Sequence, residues 1–196
     1  MVELMSMDRS HGYDALAELF MHSRIRSIGP DVVCEWCKGL PSGADVLDLG
    51  CGTGKPITDV LSGAGFRVYG VDASPAMIAA WRERFPQFEA ECVAAEDVEF
   101  HGRQFDGVIA WGLLFLLPEE TQRQVIAKAA AALRRGGKFT FTAPKQAVRW
   151  RDAMTEEVSV SMGEEVYRSW LSEEGLSVIG DASDSGQNYY LFSIKD

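Results

Sequence analysis

The chain has 196 residues, 46% of them hydrophobic, with 19 Lys and Arg against 29 Asp and Glu and a formal net charge of −10. That is long enough for one domain with a sizeable core, and the composition is that of an ordinary globule. An acidic surface repels a phosphate backbone, so no nucleic-acid partner is expected. No run of about 18 apolar residues predicts a membrane span, and the opening MVELMSMDRSHGYD lacks the basic-then-apolar pattern of a secretory signal.

In chain order, Tyr13, Leu16, Ala17, Phe20 and Arg24 recur at helical spacing. A second short helix is predicted from Asp31 to about Lys38, after the Gly29-Pro30 break. It carries Cys34 and Cys37 as a C-x-x-C. No second such pair or His pair completes a zinc site, and the pair does not sit at a strand end as a redox motif would. The two cysteines read as small apolar residues on one helix face near Trp36. Scattered cysteines, Cys51 and Cys92 being the others, suit a reducing cytoplasm, and no metal site is expected.

From residue 44 onward, short apolar runs alternate with helical stretches. The runs are DVLDL (45–49), FRVYGV (66–71), FEAECV (88–93), FDGVIAW (105–111), KFTFTA (138–143), LSVIG (176–180) and YYLFSI (189–194). This order reads as repeated βαβ units, hence a mostly parallel sheet with helices on both faces. One helix is well marked. Pro118 sits near its start, Glu119 and Glu120 fill its first turn, and Arg134-Arg135-Gly136 is predicted to close it. Residues 144–162 break the rhythm as an insertion long enough to cover a site, before a helix near Glu164 to Glu173.

Gly50, Gly52 and Gly54 follow the first run and open a helix, where free N–H groups can face a ligand. A P-loop does not fit. Leu49 stands where its first glycine belongs and Pro56 where its magnesium-binding hydroxyl belongs, so Lys55 reads as solvated. A dinucleotide fingerprint fails in both registers, its third glycine falling on Lys55 or Ile57. What remains is D-x-G-x-G-x-G from Asp48, with Asp72 roughly twenty residues further on, where a carboxylate accepts from both ribose hydroxyls. Ser74 is better placed than Asp72 to cap the helix at Pro75.

Taken together, VLDLGCGTG, VDASPAMIAAWRERFP, FDGVIAW and LRRGGKFTFTAP resemble the class I S-adenosylmethionine-dependent methyltransferases, over residues 44 to about 144. The resemblance implies an α/β, Rossmann-like fold with helices on both faces of a seven-stranded, mostly parallel sheet, in the order 3-2-1-4-5-7-6 with strand 7 antiparallel. It implies a single methyltransferase domain over 1–196: an N-terminal helical lid (1–43), a cofactor-binding core (44–143), an acceptor-side insertion (144–162) and a C-terminal helix and strands (163–196).

The implied cofactor is S-adenosyl-L-methionine. By the resemblance, Asp48, Gly50, Cys51 and Gly52 approach its methionyl part, Asp72 binds the ribose, and Ala73 and Met77 lie beside the adenine. The family's third strand commonly ends in an Asp that takes the adenine amino group. Ala94 stands there, which shifts that contact to Glu96 or Asp97, beside the Ala95 N–H. GYDALAELFMHSR resembles the N-terminal helix that closes over the cofactor in many small members. Tyr13 would pack on the cofactor and Arg24 pair with its carboxylate, the alternatives being a core face and a solvated helix end.

Methyl transfer by direct displacement asks a protein mainly to align nucleophile, methyl and sulfur. Trp111, at the end of the fourth run, is the aromatic candidate beside the sulfonium, with Trp150 and Tyr189 behind it. Trp111, Trp150, Tyr189 and Tyr190 are the acceptor-side candidates, although packing explains them equally. A general base is needed only for a protonated acceptor; His11 and His22 are the candidates, and His101 reads as a solvated loop residue. The Asn/Asp-Pro-Pro-Tyr/Phe sequence of many macromolecule-directed members is replaced by AWGLLF, so a small-molecule acceptor is expected, in a monomer or homodimer. Another reaction type on the same cofactor, or cofactor binding without turnover, stays open.

Overall fold

The computed structural model describes residues 8–23 and 28–196, with the backbone only at 21–23. Strands β1 (Asp45–Leu49), β2 (Arg67–Asp72), β3 (Glu89–Cys92), β4 (Phe105–Ala110) and β5 (Leu133–Thr142) are followed by a hairpin, β6 (Ala147–Arg151) and β7 (Val158–Met162), and then by β8 (Leu176–Ser183) and β9 (Tyr189–Lys195). The helices are α1 (Ala17–Ser23), α2 (Pro30–Cys37), α3 (Ile57–Gly63), α4 (Pro75–Arg84), α5 (Glu119–Ala132) and α6 (Glu164–Glu173).

Seven strands form one sheet in the order β3-β2-β1-β4-β5-β9-β8. β1 to β5 pair in parallel, and β9 runs antiparallel to both its neighbours. Without the separate β6–β7 hairpin, this is the order 3-2-1-4-5-7-6 that the sequence predicts. The chain order reverses between β1 and β4, the switch point where open α/β sheets bind ligands beyond the strands' carboxyl ends.

Alternation along β1 shows how the layers are built. Val46 and Asp48 face one side, Leu47 and Leu49 the other. Val46 joins Val68 and Ile109 beneath Trp36, Leu61, Ile78 and Trp81 from α2, α3 and α4. Leu47 and Leu49 join Val108, Phe139 and Phe141 beneath Val125, Ile126 and Ala129 of α5 and Tyr167 and Leu171 of α6. Both faces are covered, which is why the strands read as nearly continuous apolar runs. As expected, Ser74 caps α4: its hydroxyl accepts the Met77 N–H at 3.1 Å, ahead of Pro75.

Three local expectations are corrected. α5 ends at Ala132, before the arginines, and β5 begins at Leu133 instead of Lys138. Leu133 is buried and pairs with Phe105, while Arg134 reaches sideways to Asp106 at 2.9 Å and Asp45 at 3.4 Å. Arg134 therefore ties strand ends together instead of closing the helix. The 144–162 insertion is a two-stranded hairpin. It is held by Gln122 of α5, a fully buried amide that donates to Leu117 O at 2.8 Å and to Val160 O at 2.9 Å and accepts from the Tyr167 hydroxyl. Near the N-terminus, residues 9–16 form successive turns and only Ala17–Ser23 is helical.

Candidate active site

The glycine loop is bound to the end of β2. The Gly50 and Cys51 N–H groups both donate to Val71 O, at 2.8 and 3.0 Å, and the Gly52 N–H donates to the Asp72 carboxylate at 2.8 Å. The glycines divide their work. Gly50 and Gly52 line a cavity. Gly54 is a packing requirement, with φ +80° and a side of its Cα on which a Cβ would sit 2.3 Å from the Phe85 ring.

The cavity holds about 320 Å³, within the range of small-molecule sites, and lies at the carboxyl ends of β1, β2 and β4. Its floor includes Gly50, Gly52, Val71 and Gly112; a Cβ added at Gly112 would meet no atom within 4 Å, so this glycine leaves the space open. Its roof is the N-terminal segment, and contacts among the described residues fasten it. Arg9 pairs with Glu96 at 2.5 Å and Asp97 at 3.0 Å. Asp14 accepts from the Ser74 hydroxyl at 2.6 Å and the Ala76 N–H at 3.0 Å, at the start of α4. The Tyr13 hydroxyl donates to Asp152, at the β6–β7 turn, at 3.2 Å.

Of the residues expected at a cofactor, Tyr13, Gly50, Gly52, Asp72, Ala73, Met77, Ala95, Glu96 and Trp111 line this one cavity, and so does His11. Asp48 and Cys51 do not. Asp48 shares the Val46 face of β1, so its buried carboxylate accepts from the Thr58 hydroxyl of α3 at 2.8 Å. Cys51 is buried on the same side, 3.0 Å from where a Cβ on Gly70 would stand, and burial holds its thiol well above the ordinary value. Lys55 is half-buried, not solvated, and lies outside the cavity lining. Arg24 and the His22 side chain lie outside the described residues. Trp150 and Tyr189 line an adjoining cleft. Tyr190 is fully buried behind Trp111, whose indole N–H donates to the Tyr190 hydroxyl at 2.5 Å; that hydroxyl donates to Asp184 at 2.8 Å. In α2, Cys37 is buried and Cys34 exposed, so the pair does not share one packed face.

Arg9, Phe115 and Thr142 also line the cavity and carried no signal in the sequence, while Asp152 comes from the insertion expected to cover a site and Asn188 from the turn before β9. Arg9 matters most to the expectations, because it already engages both carboxylates proposed for the adenine amino group. Asp72, Glu96 and Asp152 outnumber Arg9 among the charged groups of the lining, so the cavity is acidic. That sign suits a cationic ligand.

The fold is the Rossmann-like one seen in S-adenosylmethionine-dependent methyltransferases. Residues 46–137 match the methyltransferase domain family. The chain is 31% identical over 120 residues to the demethylmenaquinone methyltransferase of Tropheryma whipplei (strain Twist), covering 57% of this chain and 48% of that one. It spans about half the length of the curated relatives it matches. CalS10, an amino pentose methyltransferase from Micromonospora echinaspora solved with S-adenosylmethionine, has a similar structure: TM-score 0.73, 18% identity, 92% of this chain and 96% of that one. So does the 4+2 cyclase SpnF: TM-score 0.77, 16% identity, 95% of each chain. Residues 46–137 thus resemble the methyltransferase domain family, and the sheet and its helices have the fold of the solved S-adenosylmethionine-bound methyltransferase. Among the described residues, no helix is long and apolar enough to cross a membrane.

Proposed function

We propose that the protein transfers the methyl group of S-adenosylmethionine to a small-molecule acceptor, leaving S-adenosylhomocysteine. The observation that carries this reading is the single acidic cavity at the switch point, where the Gly50–Gly52 loop, the Asp72 carboxylate and the Trp111 ring meet. S-adenosylmethionine, when bound, supplies a methyl carbon on a positive sulfur, so that an acceptor lone pair forms the new bond as the carbon–sulfur bond breaks onto sulfur. The protein's own contribution is placement. The glycine loop admits the amino-acid portion, Asp72 accepts from the ribose, Ala73 and Met77 flank the base, and Trp111 offers an aromatic face to positive charge.

The acceptor is a small molecule in this reading because the hairpin and the N-terminal segment meet over the cavity. The relative and the neighbour that methylate demethylmenaquinone and an amino pentose support the same class. A second reading, another reaction on the same cofactor, draws on the likeness to a cyclase of this fold. We place the protein in the cytoplasm, as a monomer or homodimer.

Calorimetric titration with S-adenosylmethionine, S-adenosylhomocysteine and NADH tests the cofactor. NADH binding without S-adenosylhomocysteine binding would overturn the assignment. An acceptor panel assayed with a labelled methyl donor tests the reaction. Product formed without label transfer would favour the second reading.

A further inference from the structure

Beside the cofactor cavity lies a second cleft, of about 410 Å³, between the end of β5, the start of the hairpin and the β8–β9 turn. The two spaces share three lining residues, Phe115, Thr142 and Asn188. The cleft is aromatic. Phe115 and Trp150 stand 5.5 Å apart between ring centres, and Tyr189 is half-buried in the same lining. Burial and the nearby Asp181 and Glu164 carboxylates push the Tyr189 hydroxyl up to about 12, so it stays neutral.

Lys145 carries the one charge among the described residues that line this cleft, in a protein of net charge −10. Its ammonium lies 5.1 Å from the Tyr189 ring centre and 3.1 Å from Glu164. Glu164 is also bound by Arg168 at 2.6 Å, with Asp181 a further 4.0 Å from that guanidinium. A ligand anion that engaged Lys145 would therefore leave Glu164 with a cation of its own.

The shared opening is polar in a directed way. Thr142 Oγ1 accepts the Gly112 N–H at 2.8 Å, which leaves its proton to donate. Asn188 Nδ2 donates to the Asp184 carboxylate at 2.9 Å. A carboxylate only accepts, so the amide is fixed with its nitrogen on Asp184 and its oxygen left to accept from a ligand. A hydroxyl or amine at this opening would find both a donor and an acceptor.

We propose that this cleft is the acceptor subsite and that it takes a planar aromatic carboxylic acid. The ring packs among Phe115, Trp150 and Tyr189, the carboxylate meets Lys145, and the atom to be methylated lies at the Phe115–Thr142–Asn188 opening. The proposal rests on the methyltransferase reading above and names its substrate class.

The test titrates the full chain, saturated with S-adenosylhomocysteine, with 2-naphthoate and with its neutral isostere 2-naphthamide. Naphthoate should bind about tenfold more tightly, the worth of one charge-assisted contact. Lys145→Met should abolish that preference and leave naphthamide and S-adenosylhomocysteine binding unchanged. Trp150→Ala should weaken both probes. The proposal is overturned if naphthoate does not bind, or if its preference survives Lys145→Met. Failure of S-adenosylhomocysteine to bind counts against the cofactor reading instead, because naphthoate titrated in its absence still reads the cleft.

Discussion

Asp72 Oδ2 accepts the Gly52 N–H at 2.8 Å while its Oδ1 accepts the Ser74 N–H at 2.9 Å. One carboxylate thus joins the glycine loop to the end of β2 and the entry of α4, at the cavity wall. Asp72→Ala removes these ties together with the proposed ribose acceptor. Affinity for S-adenosylhomocysteine should fall by about tenfold or more, with the far-ultraviolet circular dichroism of the fold retained. Unchanged affinity in this variant would remove Asp72 from the cofactor site.

Asp14 acts across the chain as a second cap on α4, accepting from the Ser74 hydroxyl and the Ala76 N–H. A carboxylate at a helix N-terminus satisfies orphan donors and complements the dipole. Asp14→Ala should cost about 1 kcal/mol of stability in urea unfolding. It should also quicken trypsin cleavage at Arg9, because the N-terminal segment loses one of its fastenings. If cleavage stays at the parent rate, the roof is held without Asp14.

Much of the fold was legible because it depends on period and order, which a sequence displays. The seven runs, their alternation with helices and Ser74-Pro75 at α4 each follow from local chemistry. The loop's cavity-facing glycines and Asp72 were legible for the same reason: they belong to one βαβ unit. Misread parts depend on contacts far apart in the chain. The end of α5 was displaced by the pull of Asp45 and Asp106 on Arg134. Asp48 stands next to the glycines in sequence, but the strand's two-residue period turns it toward Thr58 and away from the cavity lining. Arg9 and Glu96 are 87 residues apart, and no spacing rule connects them.

Trp111, Tyr190 and Asp184 form a hydrogen-bonded line from the cavity wall to the β8–β9 turn. Asp184 also accepts the Gly186 and Asn188 N–H groups, so the same carboxylate shapes the turn and fixes the indole. Tyr190→Phe keeps the packing of a fully buried ring and deletes the hydroxyl's hydrogen bonds to Trp111 and Asp184. It should cost about 1–3 kcal/mol, and it should weaken S-adenosylhomocysteine binding through a looser Trp111. Thermal unfolding and calorimetry read the two effects separately. Lost stability with unchanged affinity would make the line a structural tie without influence on the cavity.

Asp45 lies at the end of β1 remote from the cavity, where its carboxylate accepts from Arg67 at 2.8 Å and from Arg134 at 3.4 Å. The Arg67 hydrogen bond, and then its charge, hold this carboxyl below its ordinary value of 3.8. A carboxyl whose folded value is depressed adds stability above its unfolded value and loses it as pH falls through the folded one. The groups are partly exposed, so the contribution is small and shrinks with salt. Asp45→Asn should therefore be less stable than the parent at pH 6 in low salt. The two stability curves should converge as pH falls below about 4, where the unfolded chain's carboxyl and then, at lower pH, the folded one take up a proton. Urea midpoints from pH 6 to pH 2.5 provide the comparison, and a difference that stays constant across that range would show that the charge of Asp45 is not what stabilises this end of the sheet.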